Sequence, residues 1–349
     1  MDLSSFFYNV IIVFAFLLAF LSVRFKSKYL LVLPFLLIFL VSALRQGVGT
    51  DFYFYKDIFE YHYLTREIKG EFLFYGLNVI LNSINVDFQW FIVITSFIFC
   101  VFISACATTT FGVWLFLFTL FNLYLPSFNI IRQGVAVSIV CYAIYRYFYF
   151  DEKRLYIALL LSAVMFHASL VIAFVILIFD KLKISNWLLV VIIVTFYVFA
   201  GQAVTIFLDS NFLKESSYSY YVGSEYLNST KLGSGIGVLI QIIPYFLIML
   251  FNVKLFGVNA KSIFIRNACF FFILVKILVL HLSILNRLEV ALIFLTGLIF
   301  CESARLCNKS IFNLSIFVYM LFWQIFQFEM MLKNGLHEVT PYMSIWGGV

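Results

Sequence analysis

Charged side chains are scarce in this chain. Asp, Glu, Lys and Arg make up 11% of its 349 residues, 64% are hydrophobic and the mean hydropathy is +1.06. Soluble domains carry about twice that charge, and no soluble core absorbs so much apolar surface. Alternating strands of roughly ten residues, the mark of an outer-membrane barrel, are absent, so helices must satisfy the backbone within lipid. Only four prolines are present, which leaves little sign of the paired broken helices of secondary transporters. The six cysteines include no CxxC pair, and as free thiols in apolar segments they read as small hydrophobic fillers, so no metal or redox site is expected. Glycine-rich phosphate loops, metal-ligand clusters and DxD-type nucleotide-sugar motifs are missing too, which disfavours a cytosolic nucleotide donor and implies no cofactor. Ahead of the first apolar run there is no basic region, and after it no small-residue cleavage site, so that run is expected to be a first span rather than a removed signal peptide. No internal repeat emerges.

Apolar runs of about 17 to 25 residues recur along the whole length, as a helix crossing roughly 30 Å of hydrocarbon requires. The expected fold is all-α: a polytopic, multi-pass protein of the bacterial inner (cytoplasmic) membrane, with about 10 to 12 transmembrane helices plus re-entrant and amphipathic helices. We read residues 1–349 as one transmembrane domain with external loops at 45–87 and 209–234. The net charge of +6 is spread over short loops instead of one face, so it sets orientation and gives no nucleic-acid footprint. Most of the 46 phenylalanines are expected to face acyl chains or neighbouring helices.

Orientation follows from the basic turn at Arg24, Lys26 and Lys28, which belongs in the cytoplasm. Spans at 5–21 and 29–44 flank it, so residues 45–87 are external. Within them Phe72, Leu73, Leu77, Ile80, Leu81 and Ile84 form a helical apolar stripe, interrupted by Asn78, Asn82 and Asn85, that suits a helix lying on the membrane surface. Spans at 88–107 and 111–126 come next, followed by a fifth that opens with NIIRQ, placing Arg132 and Gln133 one turn inside its external end. Residues 155–179 are ambiguous. As one span they would put Lys181 and Lys183 outside and leave more loop Lys and Arg outside than inside. As a re-entrant hairpin turning near His167 they restore the positive-inside balance, and the hairpin is preferred. Later spans are expected at 187–208, 235–256, 267–285, 288–303 and 311–332, with a Ser-, Tyr- and Asn-rich external loop at 209–234 that suits a sugar-facing surface.

The densest polar stretch, RQGVGTDFYFYKDIFEY at 45–61, lies between these apolar segments. Arg45, Arg132 and Arg287 fall at or just within the external boundary, the side that positive-inside statistics disfavour. Single helix-end arginines often snorkel with no further role; three of them, accompanied by His167 and His281, point to an anionic headgroup that guanidinium groups grip in bidentate fashion. Asp51 follows glycines that permit a tight turn, with Thr50 bracing the backbone, and near the bilayer its carboxyl could rise toward a general base's range. Its bland alternative is a helix cap. Asp57, Glu60 and Glu71 rank behind it. His167, at membrane depth among apolar neighbours, is either a functional group with a partner or a histidine bonded to a carbonyl at the bend.

These blocks resemble the EpsG-type, Wzy-like polymerases of bacterial exopolysaccharide and O-antigen. The matching residues are Arg45, Gly49, Thr50, Asp51 and Tyr55, then Ile131, Arg132 and Gln133, then Phe166, His167 and Ser169, with Arg287 and the terminal Pro341 and Tyr342 fitting less specifically. An asparagine that often precedes the motif tyrosine is Phe54 here. The resemblance implies a metal-independent, GT-C-like glycosyltransferase acting at the periplasmic face. It would move a growing glycan from undecaprenyl diphosphate onto a hydroxyl of the next lipid-linked repeat unit, with membrane lipid around it and a chain-length regulator and a flippase as partners. Catalysis would fall to Asp51, His167 and Arg132, with Asp51 as the base, and substrate binding to Arg45, Arg287, Gln133, Thr50, Tyr53 and Tyr55, the tyrosines stacking on sugar rings. Two other readings compete: a flippase or exporter of lipid-linked oligosaccharide, and a membrane O-acyltransferase centred on the intramembrane histidine.

Overall fold

A computed structural model describes residues 3–62, 71–209, 236–281 and 285–348. Nearly all of the expected external loop at 209–234 therefore lies outside the described residues. The described residues are 84% helical, and the all-α, polytopic membrane architecture holds. In chain order the helices are α1 (Leu3–Arg24), α2 (Val32–Ala43), α3 (Phe52–Asp57), α4 (Phe72–Ser83), α5 (Phe88–Cys106), α6 (Thr110–Thr119), α7 (Pro126–Asn129), α8 (Ile131–Phe150), α9 (Lys153–Phe166), α10 (Asn186–Asp209), α11 (Ile236–Phe256), α12 (Ala260–His281), α13 (Asn286–Ala291), α14 (Ile293–Leu306) and α15 (Ile311–Lys333). Among the described residues six helices are long and apolar enough to cross a membrane: α1, α5, α10, α11, α12 and α15.

Several expected crossings are shorter or broken, each with a local cause. The run at 29–44 opens with a 3-10 turn and gives a helix of only 12 residues, α2, because Pro34 is tolerated only in a first turn. At 111–126, α6 loosens into a π-helical turn over Leu120–Tyr124 before Pro126 starts the short α7. The run at 288–303 divides between α13 and α14.

The chain forms two compact units, Met1–Ala173 with Phe300–Val349, and Phe174–Ile299. In the first, α8 is the central helix. Gly134, Val135, Ala136, Val137 and Ser138 are all buried along it, and its small residues let neighbours close in: a Cβ on Gly134 would lie 2.8 Å from Ser127 Cβ. Asp151, in the left-handed conformation (φ 59°), ends α8 and turns the chain into α9, which packs back along it.

At His167 the backbone becomes extended (φ −154°, ψ 113°), and a 3-10 helix, Ala168–Ile178, follows. Tyr156 Oη donates to the carbonyl of Ala173 at 2.6 Å. Had the chain run straight on, those groups would be about 28 Å apart. Residues 155–173 therefore reverse at His167, as a hairpin with its tip at the Arg132 end of α8. α4 turns Phe72 (68% exposed), Leu73, Ile80 and Ile84 outward while burying Asn78 and Leu81, so most of its apolar stripe faces away from the protein, as a helix on a lipid surface requires.

The second unit is built on α12, against which α10 and α11 pack. Asn267 Nδ2 donates to the carbonyls of Phe179 (2.6 Å) and Leu182 (2.8 Å). Lys276 Nζ donates to Gln241 Oε1 and pairs with Glu289.

Candidate active site

The polar stretch begins where α2 ends, and its first residue turns inward. Arg45 is 2% exposed. Its Nη1 donates to the Ser42 carbonyl and to Ser96 Oγ at 3.0 Å, and the guanidinium lies 4.5 Å above the Phe128 ring. Beside it is a cavity of about 10 Å³ lined by Ser42, Thr95, Ser96 and Ser127 among others, the size of one water.

The loop that follows is held by the C-terminal tail. Gln46 N donates to Met343 O and Ile345 N to Leu44 O, both at 2.9 Å; Gly49 N donates to Glu338 O and Thr50 N to His337 O, both at 3.1 Å. A two-residue antiparallel hairpin, β1 (Met343–Ser344) and β2 (Gly347–Gly348), caps the tail. Tyr342 donates to Val41 O, and Tyr8 donates to Val339 O, so the terminal PY block anchors the tail against α1 and α2. His337 and Glu338 have positive φ (65° and 50°), conformations that persist in non-glycine residues only where surrounding contacts dictate them.

Asn129, at the end of α7, joins loop to tail. Its Oδ1 accepts from Asp51 N at 2.7 Å, which leaves its Nδ2 facing His337 Nδ1 at 3.3 Å. Asp51 sits at the N-cap position of α3, but its side chain makes no cap hydrogen bond. From there the elements diverge in burial. Thr50 is exposed, Tyr53 is 67% exposed, and Tyr55 is 5% exposed, its ring edge-on to Phe74 and stacked on Phe91.

Arg132 lies over that aromatic floor, its guanidinium carbon 5.8 Å from the Tyr55 ring and 5.2 Å from the Phe74 ring. Its ion-pair partner is Glu71, which precedes α4: Arg132 Nη1 to Glu71 Oε2 is 2.6 Å. The other carboxylate oxygen meets the hairpin tip. Glu71 Oε1 is 2.6 Å from His167 Nδ1 and accepts from Ala168 N at 3.4 Å. The Glu71 side chain is 7% exposed, against 24% for Arg132 and 19% for His167. Burial alone would push its carboxyl up, but the hydrogen bond from His167 and the charge of Arg132 outweigh it and hold the group below the usual carboxylate range. Burial raises the Tyr55 phenol, opposed by Arg132 and reinforced by Asp51. A charged Asp51 thus acts on the same aromatic floor from the loop side.

The structure brings Asp51, Tyr55, Arg132 and His167 to one end of the first unit. Gln133, beside Arg132, is 5% exposed. Arg287 belongs to the second unit, where it is exposed in the first turn of α13. Sequence reasoning undervalued Glu71 and missed Asn129 and His337. An acid just ahead of an apolar helix reads as a cap, yet Glu71 makes no side-chain cap hydrogen bond; its partners lie 61 and 96 residues away. Among the described residues no group of three or more His, Cys, Asp or Glu converges as a metal site would require.

Comparison with known families gives one result: the EpsG family model matches residues 28–344, a span that includes the cluster and the tail as far as Ser344. No curated protein and no solved structure matches the chain.

Proposed function

Because this chain belongs to the EpsG family, we propose that it is a polysaccharide polymerase of the bacterial inner membrane that elongates O-antigen or exopolysaccharide on undecaprenyl diphosphate. The observation that carries this reading is the convergence of Arg132 and His167 on Glu71 at the hairpin tip, the end of α8 that the charge bias assigns to the periplasm.

The reaction divides among these residues as follows. His167 takes the proton from a hydroxyl of the incoming lipid-linked repeat unit. That oxygen forms a bond to the anomeric carbon of the growing glycan. The bond from that carbon to the diphosphate oxygen breaks, and its electron pair leaves with undecaprenyl diphosphate. Arg132 meets the charge that develops there, where a fixed guanidinium stabilises the transition state more than the ground state. No metal is needed for this step. Of the two candidate bases, His167 has the better geometry, since Glu71 orients its ring and leaves Nε2 for the substrate; Asp51, with Thr50 and Tyr53, then serves the sugar side, while buried Tyr55 supports Arg132 from beneath. Gln133 supports Arg132 from the same turn. Buried Arg45 adds positive potential behind the loop.

A carrier reading would rely on an intramembrane cation, and Lys276 is one, but Gln241 and Glu289 already engage it. The test is reconstitution in nanodiscs with undecaprenyl-diphosphate-linked repeat units as sole substrate, no nucleotide sugar, and a metal chelator present. A ladder of longer glycans is expected, with Arg132→Ala slower by at least about 100-fold. An absolute need for a nucleotide sugar, or normal growth by Arg132→Ala, would overturn the reading.

A further inference from the structure

One carboxylate touches both halves of the proposed chemistry. Glu71 offers Oε2 to Arg132 and Oε1 to His167, each at 2.6 Å, and it is nearly closed to solvent. An ionised carboxylate only accepts hydrogen bonds, so the hydrogen in the second contact belongs to His167 Nδ1. In the neutral ring Nε2 is then the bare nitrogen. Arg132, for its part, has an unused donor: its buried Nε has no partner among the described residues.

Resting on the polymerase reading, we infer that Glu71 couples donor binding to acceptor activation: it is shared between Arg132 and His167 in the empty site and passes to His167 alone once a lipid diphosphate claims Arg132. A carboxylate divided between two cationic partners supports each less than it would support one. A diphosphate has more charge than Glu71 and matches the planar guanidinium with several oxygens, so it competes effectively for Arg132. Released from that contact, the Glu71 carboxylate binds the imidazole Nδ1–H undivided and holds the ring with Nε2 turned to the acceptor. The base reaches full strength only when the leaving group is in place. Among the described residues, the charged group on this imidazole is Glu71, which Arg132 of α8 reaches through the same carboxylate, with Tyr55 of α3 beside Arg132. Glu71 is thus a positioning residue, acting through its two neighbours.

The test follows the histidine itself. Protein in nanodiscs with 15N-labelled histidine is followed by NMR at one fixed pH with and without undecaprenyl diphosphate, a product that cannot react further, and His167→Gln assigns the signal. Adding the lipid should move the His167 Nδ1–H signal downfield, as a stronger hydrogen bond to Glu71 requires, and in Glu71→Gln the lipid should still bind but leave the histidine signals unmoved. In the polymerisation assay Glu71→Gln should lower kcat at least tenfold with the KM for the lipid donor unchanged or reduced, because Arg132 is freed; a merely structural loss would not split the constants this way. Glu71→Asp, which keeps the charge, should recover part of kcat and guards against a folding defect in the Gln variant. A wild-type Nδ1–H signal indifferent to undecaprenyl diphosphate, or a normal kcat in Glu71→Gln, would overturn the coupling while ladder formation by the wild type left the polymerase reading standing. Absence of any ladder would instead strike the polymerase reading.

Discussion

Gly49 shows how tightly single positions are specified in this loop. Its φ is +104°, and a Cβ there would lie 2.7 Å from the Phe128 carbonyl oxygen, closer than real Cβ contacts come. Backbone strain and the clash act together, so Gly49→Ala should cost about 3 kcal/mol. Gly76 is the control: it lies inside α4, and a Cβ there meets nothing within 4 Å, so Gly76→Ala should gain about 0.5 to 1 kcal/mol. Thermal unfolding of both variants in the same detergent checks the pair. At this scale the GTD block was legible in the sequence, because glycine before a polar turn has a backbone meaning that needs no tertiary information. Glu71 was not, since nothing local separates a capping acid from one that reaches a hairpin tip 96 residues on. Nor was the burial of Arg45: hydropathy marks where a span ends but does not say whether the next side chain turns toward water or toward Phe128.

Among elements, the tail is the least expected. The last expected span ends at residue 332, yet residues beyond it supply backbone partners of the loop before Asp51. The link through Asn129 makes that clamp sensitive to acid. Because Asn129 Oδ1 is committed to Asp51 N, its Nδ2 donates to His337 Nδ1, and this needs a neutral imidazole. Burial lowers His337 below the usual histidine value of 6.5, with the Asp51 charge pulling the other way. The folded tail therefore binds its proton at lower pH than the unfolded tail does. Its stability rises with pH through that window, is complete above about 6.5, and is lost as pH falls from there through the native value. Amide exchange at Gly49 and Thr50, corrected for intrinsic rates, should lose protection on going from pH 7 to 5, and His337→Asn, which tolerates positive φ, should flatten the response. Unchanged protection in the wild type would separate the clamp from His337. The hairpin at 155–179, by contrast, was legible from charge balance alone, since two short arms and a central histidine leave few ways to keep Lys181 and Lys183 inside. What could not be read was how far its tip reaches, which depends on α9 packing along α8.

For the whole molecule, the outward surface is that of a protein dissolved in lipid. On α10, Trp187 is 76% exposed and Val194, Tyr197, Val198 and Phe199 are all exposed with it, a face that would be an aggregation hazard in water. All-α, multi-pass architecture was legible because lipid imposes length and apolarity on every crossing. Crossings interrupted by Pro34 or by the π-helical turn at Leu120–Tyr124 were not, since hydropathy averages over such breaks. Orientation rests on the basic turns, and reporter insertion checks it: a fusion at 257–259, between α11 and α12, should read cytoplasmic, and one within 210–234 periplasmic. The reverse pattern would put the hairpin reading, and with it the sidedness of the second unit, out of court.

The clamp on the Asp51 loop also has a consequence in time. Leu44, Gln46, Gly49 and Thr50 receive backbone hydrogen-bond partners from residues 337–345, almost the full chain later. At 5 to 20 residues per second of synthesis, roughly 15 to 60 s separate the making of the loop from the making of its clasp. Through that interval the nascent protein has its early spans and no finished loop. On the proposed polymerase reading, it would meet the membrane's pool of lipid-linked sugars as an inert body, and become competent only when the last stitch is drawn.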